Sequence, residues 1–138
     1  MRALGLDVGE KRIGVALSDI MGVLASPLTV IDASDRQAAL HNIAELCNDN
    51  EVDLIVVGMP RSMDGSIGVQ AQKVEAFCDS LAEAVNIRIY KWDERLSSVA
   101  ADRAMIAAGT RKEKKRELRD AIAAAIILQG YLDRKASD

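Results

Sequence analysis

Residues 3–18, ALGLDVGEKRIGVALS, decide the fold. In residues 3–9 and again in residues 12–18, larger apolar side chains alternate with small or polar ones. This period of two is typical of strands packed on a core. Only Glu10 and Lys11 separate the two runs, and this gap is the size of a tight turn. The stretch therefore predicts an antiparallel β-hairpin.

The sequence after this hairpin predicts another strand and then a helix. The strand covers about residues 22–31, with Pro27 near a bend or bulge. Ser34, followed three residues later by Gln37, has the pattern of a capping box and predicts the start of the helix. We expect this helix to end near residues 48–50.

The rest of the chain predicts parallel strands alternating with helices. The stretch DLIVVG at residues 53–58, a continuous apolar run bounded by Asp53 and by Gly-Met-Pro, predicts a buried parallel strand. The further predicted elements are an amphipathic helix through residues 74–85, a strand at residues 87–92, a short helix that ends at Gly109 and a last helix over about residues 113–134. The order β-β-β-α-β-α-β-α-α predicts an α/β fold with a mixed central sheet, antiparallel in its first strands and parallel afterwards, flanked by helices.

Length and charge set the domain count and a first limit on function. The 138 residues have an ordinary globular composition and predict a single domain over residues 1–138. The formal net charge of −3, from 18 basic and 21 acidic residues, argues against a generic nucleic-acid binder. That sum hides a local excess, because residues 110–119, which we call the basic segment, hold six basic residues against Glu113 and Glu117.

The sequence also argues against a membrane protein, a zinc protein and a disulfide-linked protein. Its longest apolar run, residues 121–128, is too short to span a bilayer, and the N-terminal residues lack a signal-peptide pattern. One His and no closely spaced pair of Cys residues make a zinc site improbable. Cys47 and Cys78 each fall in a predicted helix and fit small buried hydrophobes in a reducing compartment. We therefore expect a cytoplasmic protein.

Asp7 is the first candidate functional residue. In the predicted hairpin it shares a sheet face with small residues: Ala3, Gly5, Gly9, and on the neighbouring strand Gly14 and Ala16. These small side chains predict room beside Asp7 for an ion or a phosphate. An Asp that caps the turn at the strand end explains the residue equally well.

Further acids stand at the borders of other predicted elements. Asp93 and Glu94 directly follow a strand, and ligands bind outside the carboxyl ends of strands in open α/β sheets. Asp120 precedes the apolar stretch AIAAAIIL, where a partly buried acid needs a partner or a metal. The alternatives are a solvated loop charge and an acid favoured by the helix macrodipole. Carboxylates from three elements fit a pair of Mg²⁺ ions about 4 Å apart, which can activate water for an in-line phosphoryl displacement.

Two segments are candidates for phosphate contact. In the loop at residues 58–68, Gly65, Ser66 and the first helix amides can bind an anion, although the loop has no P-loop pattern and a structural turn fits it equally well. The basic segment is either a solvated helix face or a strip that grips a phosphate backbone. We interpret His41 as a surface or half-buried residue, and Ser97 with Ser98 as helix-capping residues.

Four ordered motifs together resemble one known family. They are LGLDVGEKRIGVALSD, VVGMPRSMDGSIGVQAQKVEAF, WDERLSS and GTRKEKKR followed by Asp120 and AAAIILQGYLD. The combination resembles the pre-16S rRNA nuclease family, also described as Holliday junction resolvase-like, within the RNase H-like superfamily. The resemblance covers essentially the whole chain. This chain departs from the family pattern at Ser97 and Ser98, where threonines are commoner, and at Arg119 and Ala121 beside the last acid.

The resemblance implies an RNase H-like fold and a carboxylate–metal nuclease site. Its catalytic and metal-binding residues map onto Asp7, Glu94 and Asp120, with Mg²⁺ as the cofactor and Mn²⁺ as an alternative. Arg95 then binds substrate or orients the site. The remaining predicted substrate-binding residues are Arg61, Ser66, Arg111, Lys112, Lys114, Lys115 and Arg116.

The favoured hypothesis is a metal-dependent endonuclease that trims the 5′ side of precursor 16S rRNA, with pre-ribosomal particles as candidate partners. The main alternative is a DNA endonuclease that resolves four-way junctions, for which paired cuts require a two-fold dimer. The sequence leaves monomer and homodimer open. A nucleotide-binding module like half of an actin-like kinase would need a second large domain. A non-catalytic RNA-binding module would have few aromatic residues for base stacking, since they make up 3% of the chain.

Overall fold

The computed structural model describes residues 1–60, 68–96 and 112–137, and for residues 112–117 it describes the backbone alone. In chain order the elements are β1 (Ala3–Val8), β2 (Arg12–Ser18), β3 (Ala25–Asp32), α1 (Arg36–Asp49), β4 (Leu54–Met59), α2 (Val69–Ala84), β5 (Arg88–Asp93), a 3₁₀ turn (Glu94–Leu96) and α3 (Lys112–Ser137). The predicted short helix ending at Gly109 and the residues Ser97 and Ser98 lie outside the described residues.

The five strands form one mixed sheet in the order β3-β2-β1-β4-β5. Strands β1, β2 and β3 are antiparallel neighbours, whereas β4 is parallel to both β1 and β5. The predicted hairpin, the buried parallel strand and the α/β class are therefore confirmed. The register of β2 on β3 shifts between Val15 and Ala16, opposite Thr29 and Pro27, which places the predicted irregularity at Pro27.

The sheet separates two apolar cores. One face packs against α1 and α2, and its largest fully buried side chains include Leu4, Leu6 and Ile13. The other face packs against α3 and is built from smaller residues such as Ala3, Ala16 and Ala124. Small side chains on this second face let α3 lie close to the strands, so the helix backbone comes into contact with the sheet itself.

Glycines mark the closest approach of α3. A Cβ atom on Gly14 would overlap with the backbone carbonyl oxygen of Asp120, and one on Gly5 would lie 2.9 Å from the carbonyl oxygen of Ala124. The small residues around Asp7 therefore make room for a helix. Helix backbone fills the space that the missing side chains leave at these two positions. The expected room for an ion or a phosphate beside Asp7 itself stays a prediction.

The start of α1 differs by one residue from the predicted capping box. Asp35 is the N-cap, and its carboxylate accepts a hydrogen bond of 3.2 Å from the backbone N–H of Ala38. Ser34 instead donates its hydroxyl to the carboxylate of Asp32 at 2.7 Å. The capping box at Ser34 was therefore wrong, because Asp32 competes for the Ser34 hydroxyl.

The other side chains singled out by the sequence are in ordinary positions. Cys47 and Cys78 are buried free thiols, and burial raises the pKa of each to about 11. This confirms that both behave as small hydrophobes. His41 is exposed on α1 and lies 3.0 Å from the carboxylate of Glu45. Across residues 1–60, 68–96 and 112–137, no helix combines the length and the apolar character needed to cross a membrane.

Candidate active site

The candidate active site lies at the carboxyl ends of the parallel strands. Asp7 is the second-last residue of β1, and Glu94 follows the last residue of β5. Asp120 lies more than two turns into α3, as the sequence predicted. Because β1 and β5 are both parallel to β4, their carboxyl ends meet at the same edge of the sheet. Two of the three predicted acids therefore share this edge through sheet topology alone.

Asp120 reaches the same edge through the contact between α3 and β2. Asp7 is directly opposite Gly14 in the antiparallel ladder, and the backbone of Asp120 rests on Gly14. Any side chain at position 14 would lift this turn of α3 away from Asp7. The absence of a side chain at Gly14 thus brings Asp120 beside Asp7, although 113 residues separate the two acids in the sequence.

Glu94 lies on the other side of Asp7, over a glycine of the neighbouring strand β4. Leu6 is paired with Val57 in the parallel ladder, and Asp7 and Gly58 are the next residues of their strands. A Cβ atom on Gly58 would lie 2.9 Å from the Oε1 atom of Glu94. The two strands that flank β1 therefore each contribute a glycine, with Asp120 above one glycine and Glu94 above the other.

Arg12 is a residue of the site that the sequence analysis missed. Its Nε atom donates to the Oδ2 atom of Asp120 at 3.0 Å, and only 22% of the Asp120 side chain is exposed against 57% for Arg12. Arg12 is the first residue of β2, so it lies at the same edge as Asp7. No local pattern links two residues 108 positions apart, and the sequence showed Arg12 only as the first residue of the second predicted strand.

Arg95 interacts with Asp93, the acid beside Glu94. Its guanidinium donates to the Asp93 carboxylate at 2.6 and 3.1 Å, and its backbone N–H donates to the same carboxylate at 3.0 Å. These bonds fix the turn that carries Glu94. The sequence left a choice between Asp93 and Glu94, and the structure gives them different surroundings, since Asp93 stabilises the turn while Glu94 lies over Gly58.

The acids share one edge, but their side chains are not assembled into a metal site in this structure. Within the described residues, no group of three or more His, Cys, Asp or Glu side chains is placed so that it could hold a metal ion. The ion pair with Arg12 occupies one carboxylate oxygen of Asp120. Asp7 and Glu94 each have an interaction partner as well.

The structure describes some of the predicted phosphate-binding residues, and for these it describes the backbone. Lys112, Lys114, Lys115 and Arg116 lie in the first turns of α3, so their backbone leads directly to Asp120. Their side chains are outside the described part of the structure, as are all atoms of Arg61, Ser66 and Arg111. The helix backbone over residues 112–119 therefore lies at the same end of the sheet as the acids.

Comparison with known proteins identifies the family. A family model described as "RuvX: Holliday junction resolvase" matches residues 1–134. The chain belongs to the RuvX family. A RuvX relative from Clostridium acetobutylicum, named "Putative pre-16S rRNA nuclease", is 47% identical over 133 residues, which is 96% of this chain and 98% of the relative. A relative of the same name from Clostridium kluyveri is 44% identical over 134 residues, 97% of this chain and 98% of the relative. These matches confirm the family resemblance seen in the sequence.

Solved structures confirm the RNase H-like fold of this RuvX chain. RuvC from Thermus thermophilus, solved in complex with a Holliday junction substrate, matches with a TM-score of 0.60 at 18% identity, covering 99% of this chain and 96% of RuvC. A fowlpox virus resolvase, solved with Holliday junction DNA, matches with a TM-score of 0.53 at 10% identity, covering 98% and 99% of the two chains. At these identities the likeness concerns the fold alone.

Proposed function

We propose that this RuvX chain is a metal-dependent endonuclease that hydrolyses RNA and trims the 5′ side of precursor 16S rRNA. One observation carries the proposal: Asp120 and Glu94 lie over the two glycines, Gly14 and Gly58, that flank Asp7. Three carboxylates at one sheet edge, next to a basic helix start, suit phosphodiester hydrolysis. The names of the Clostridium relatives support precursor rRNA as the substrate.

The donor set fits Mg²⁺, with Mn²⁺ as an alternative. Carboxylate oxygens are the hard ligands that these ions prefer, and Gly14 and Gly58 let Asp120 and Glu94 approach the strand that carries Asp7. When bound, the metal ions supply an activated water and stabilise the leaving oxygen. A metal ion there would compete with the Arg12 guanidinium for the Asp120 carboxylate, of which the ion pair occupies one oxygen.

The chain's own basic residues then have separate roles. Arg12, once it leaves Asp120, remains at the sheet edge with an exposed guanidinium suited to a phosphate oxygen. The basic segment, including Lys112, Lys114, Lys115 and Arg116, holds the RNA backbone by charge and directs it towards Asp120. Arg95 keeps Glu94 in place through Asp93. Arg61 and Ser66, in the loop at residues 58–68, and Arg111, in the basic segment, remain proposed substrate contacts.

A DNA junction is the second candidate substrate. The description of the family favours it, because the matching model is named for Holliday junction resolution. The same carboxylates and basic residues would act on either nucleic acid. Paired cuts in a four-way junction require two sites related by a two-fold axis and facing one junction. The arrangement of two copies, together with a direct comparison of substrates, therefore separates these candidates.

The central experiment replaces Asp7 with Asn and compares two substrates. We expect Asp7→Asn to abolish Mg²⁺-dependent cleavage of a precursor 16S rRNA fragment while leaving the circular dichroism spectrum unchanged. Asp79→Asn, an exposed position on α2, is the matched control and should cleave at the wild-type rate. Undiminished cleavage by Asp7→Asn would overturn the site, and cleavage of a four-way DNA junction in preference to the rRNA fragment would overturn the substrate.

A second experiment measures metal binding without substrate. Because Arg12 competes with the metal for Asp120, Arg12→Gln should bind Mn²⁺ roughly two- to fivefold more tightly, as expected from the loss of a partly exposed ion pair. Calorimetric titration in low salt gives the affinity, and Arg88→Gln at the exposed start of β5 is the control. Unchanged or weaker Mn²⁺ binding by Arg12→Gln would show that Arg12 does not restrain Asp120.

A further inference from the structure

The loop between β2 and β3 carries a cluster of exposed apolar side chains. We call this loop, residues 19–24, the hairpin tip; it joins β2 to β3 and is distinct from the turn between β1 and β2. Within it Ile20, Met21, Val23 and Leu24 are 71%, 80%, 59% and 64% exposed, and the neighbouring Met1 is 44% exposed. Exposed large hydrophobic residues are ordinary when scattered singly, but a contiguous group of this kind marks an interaction surface.

The hairpin tip is held rigidly in its exposed shape. The Asp19 carboxylate accepts hydrogen bonds from the backbone N–H groups of Val23 at 2.7 Å and Leu24 at 3.0 Å. Gly22 takes the positive φ of 70° that this tight loop requires, and its N–H donates to the carbonyl oxygen of Asp19. The apolar side chains therefore stay directed at solvent, and little conformational freedom remains to be lost on docking.

Two contacts from elsewhere in the fold brace the same loop. The N-terminal ammonium of Met1 donates to the carbonyl oxygen of Ile20 at 3.0 Å. The side-chain amide of Gln129 on α3 donates to the carbonyl oxygen of Val23 at 2.9 Å and accepts from the N–H of Ala25. These bonds hold the loop in one shape, which fits a preformed docking surface.

We propose that the hairpin tip is the interface through which two copies of this chain form a homodimer. The exposed surface of its four apolar residues and Met1 is on the order of 600 Å² per copy, so two copies would bury about 1,200 Å², the lower limit of a stable interface. A two-fold axis joins the same patch on both copies. The proposal concerns a surface apart from the candidate active site and does not depend on the proposed function.

The charges around the hairpin tip favour a second copy over nucleic acid. Acids and bases both surround it: Asp53 and Asp133 are exposed, and so is Lys135, whose ammonium lies 3.5 Å from the Met1 sulfur. A two-fold pair brings the acids and bases around both tips to one interface, where opposite charges of the two copies can meet. A phosphate backbone would meet three acids, Asp19, Asp53 and Asp133, against the two bases Arg2 and Lys135, so the balance of charge disfavours it.

The interface leaves both candidate active sites open. β1 starts next to the hairpin tip, where the N–H of Ala3 donates to the Ser18 hydroxyl, and it ends at the opposite edge beyond Asp7. The two sites of such a dimer would therefore lie far apart.

Sedimentation velocity tests the proposal on the full chain. With reductant present and over about 1 to 100 µM, a range in which an interface of this size can dissociate, the wild type should pass from 14.9 kDa monomer to a dimer of twice that mass. Met21→Glu combined with Val23→Glu places like charges at the interface and should weaken dimerisation at least about tenfold. Val69→Glu, at an exposed residue of α2, is the control and should dimerise like the wild type.

Each remaining outcome contradicts the proposal. A wild type that stays monomeric at every concentration would show that no second copy occupies the hairpin tip. A dimer that persists in the double variant, with its unfolding temperature unchanged, would place the interface elsewhere. A monomeric wild type whose double variant loses affinity for the precursor rRNA fragment would assign the surface to nucleic acid instead.

Discussion

Gly14 and Gly58 differ in what a methyl group would meet at each position. A Cβ atom on Gly14 would overlap with the carbonyl oxygen of Asp120, which is helix backbone and cannot turn aside. A Cβ atom on Gly58 would lie 2.5 Å from the Cδ1 atom of Ile127 and 2.9 Å from Oε1 of Glu94, both at the ends of flexible side chains. Substitution at Gly14 therefore displaces α3, whereas substitution at Gly58 displaces side chains, one of them a proposed catalytic residue.

This difference predicts opposite balances of stability and activity. Gly14→Ala should lower the free energy of unfolding by about 3 kcal/mol, since the overpacking strains backbone. Gly58→Ala should lower it by only about 1 kcal/mol but should strongly reduce cleavage by displacing Glu94. Urea unfolding gives the first quantity and the rRNA cleavage rate gives the second. Equal losses of stability in the two variants would contradict this account of how α3 is seated.

At the scale of the element, the first turn of α1 depends on one carboxylate. Asp35→Ala should lower the free energy of unfolding by about 1 kcal/mol, because the N–H of Ala38 loses its acceptor. Ser34→Ala serves as the matched control and should cost less, since its hydroxyl bonds to exposed Asp32 rather than to the helix. Urea unfolding of both variants measures the two losses of unfolding free energy. A larger loss for Ser34→Ala would make Ser34 the cap.

Elements whose own residues carry a periodic pattern were predicted from sequence. The alternation through β1 and β2, the apolar run of β4 and the helical spacing of α2 are local signals, and each element appears where it was predicted. The cap of α1 was missed by one residue because Ser34 and Asp35 are both good caps, and a side-chain contact with Asp32 decides between them.

The candidate site was only partly predictable for a related reason. Asp7 and Glu94 stand at strand ends and Asp120 precedes an apolar stretch within α3, and the family resemblance placed them in one site. The contacts that arrange the site join distant parts of the chain: Arg12 with Asp120, and Gly58 with Glu94. Such pairs leave no periodic trace in a single sequence. Arg12 therefore became visible only once α3 was seen to cross β2.

At the scale of the whole molecule, several exposed carboxylates link stability to pH. The backbone N–H groups of Leu24 and Val23 lower the pKa of Asp19, the Ser34 hydroxyl and N–H lower that of Asp32, and Lys73 lowers that of Glu10. Their ordinary pKa values are 3.8, 3.8 and 4.5. Because the folded values lie below these, the unfolded chain binds more protons in acid, and the stabilisation present above them is lost as the pH falls.

The unfolding temperature should accordingly be level from about pH 7 to 5 and fall below about pH 4, by a modest amount from these exposed groups. Asp19→Asn removes one of the contributing groups and should make the fall shallower, whereas the exposed Asp79→Asn should leave it as in the wild type. Calorimetric scans from pH 7 to pH 2 measure both. A fall of the same steepness in Asp19→Asn and in the wild type would show that the braced hairpin tip does not contribute to acid sensitivity.

The seating of α3 on Gly5 and Gly14 also bears on how a lineage carrying this fold can vary. A buried leucine can drift to isoleucine or methionine because its neighbours repack, but a glycine beneath a carbonyl oxygen has no smaller replacement. Substitution is therefore hard to accommodate at these two residues without side chains, beneath the helix that carries Asp120. The larger core under α1 and α2 remains comparatively free to change.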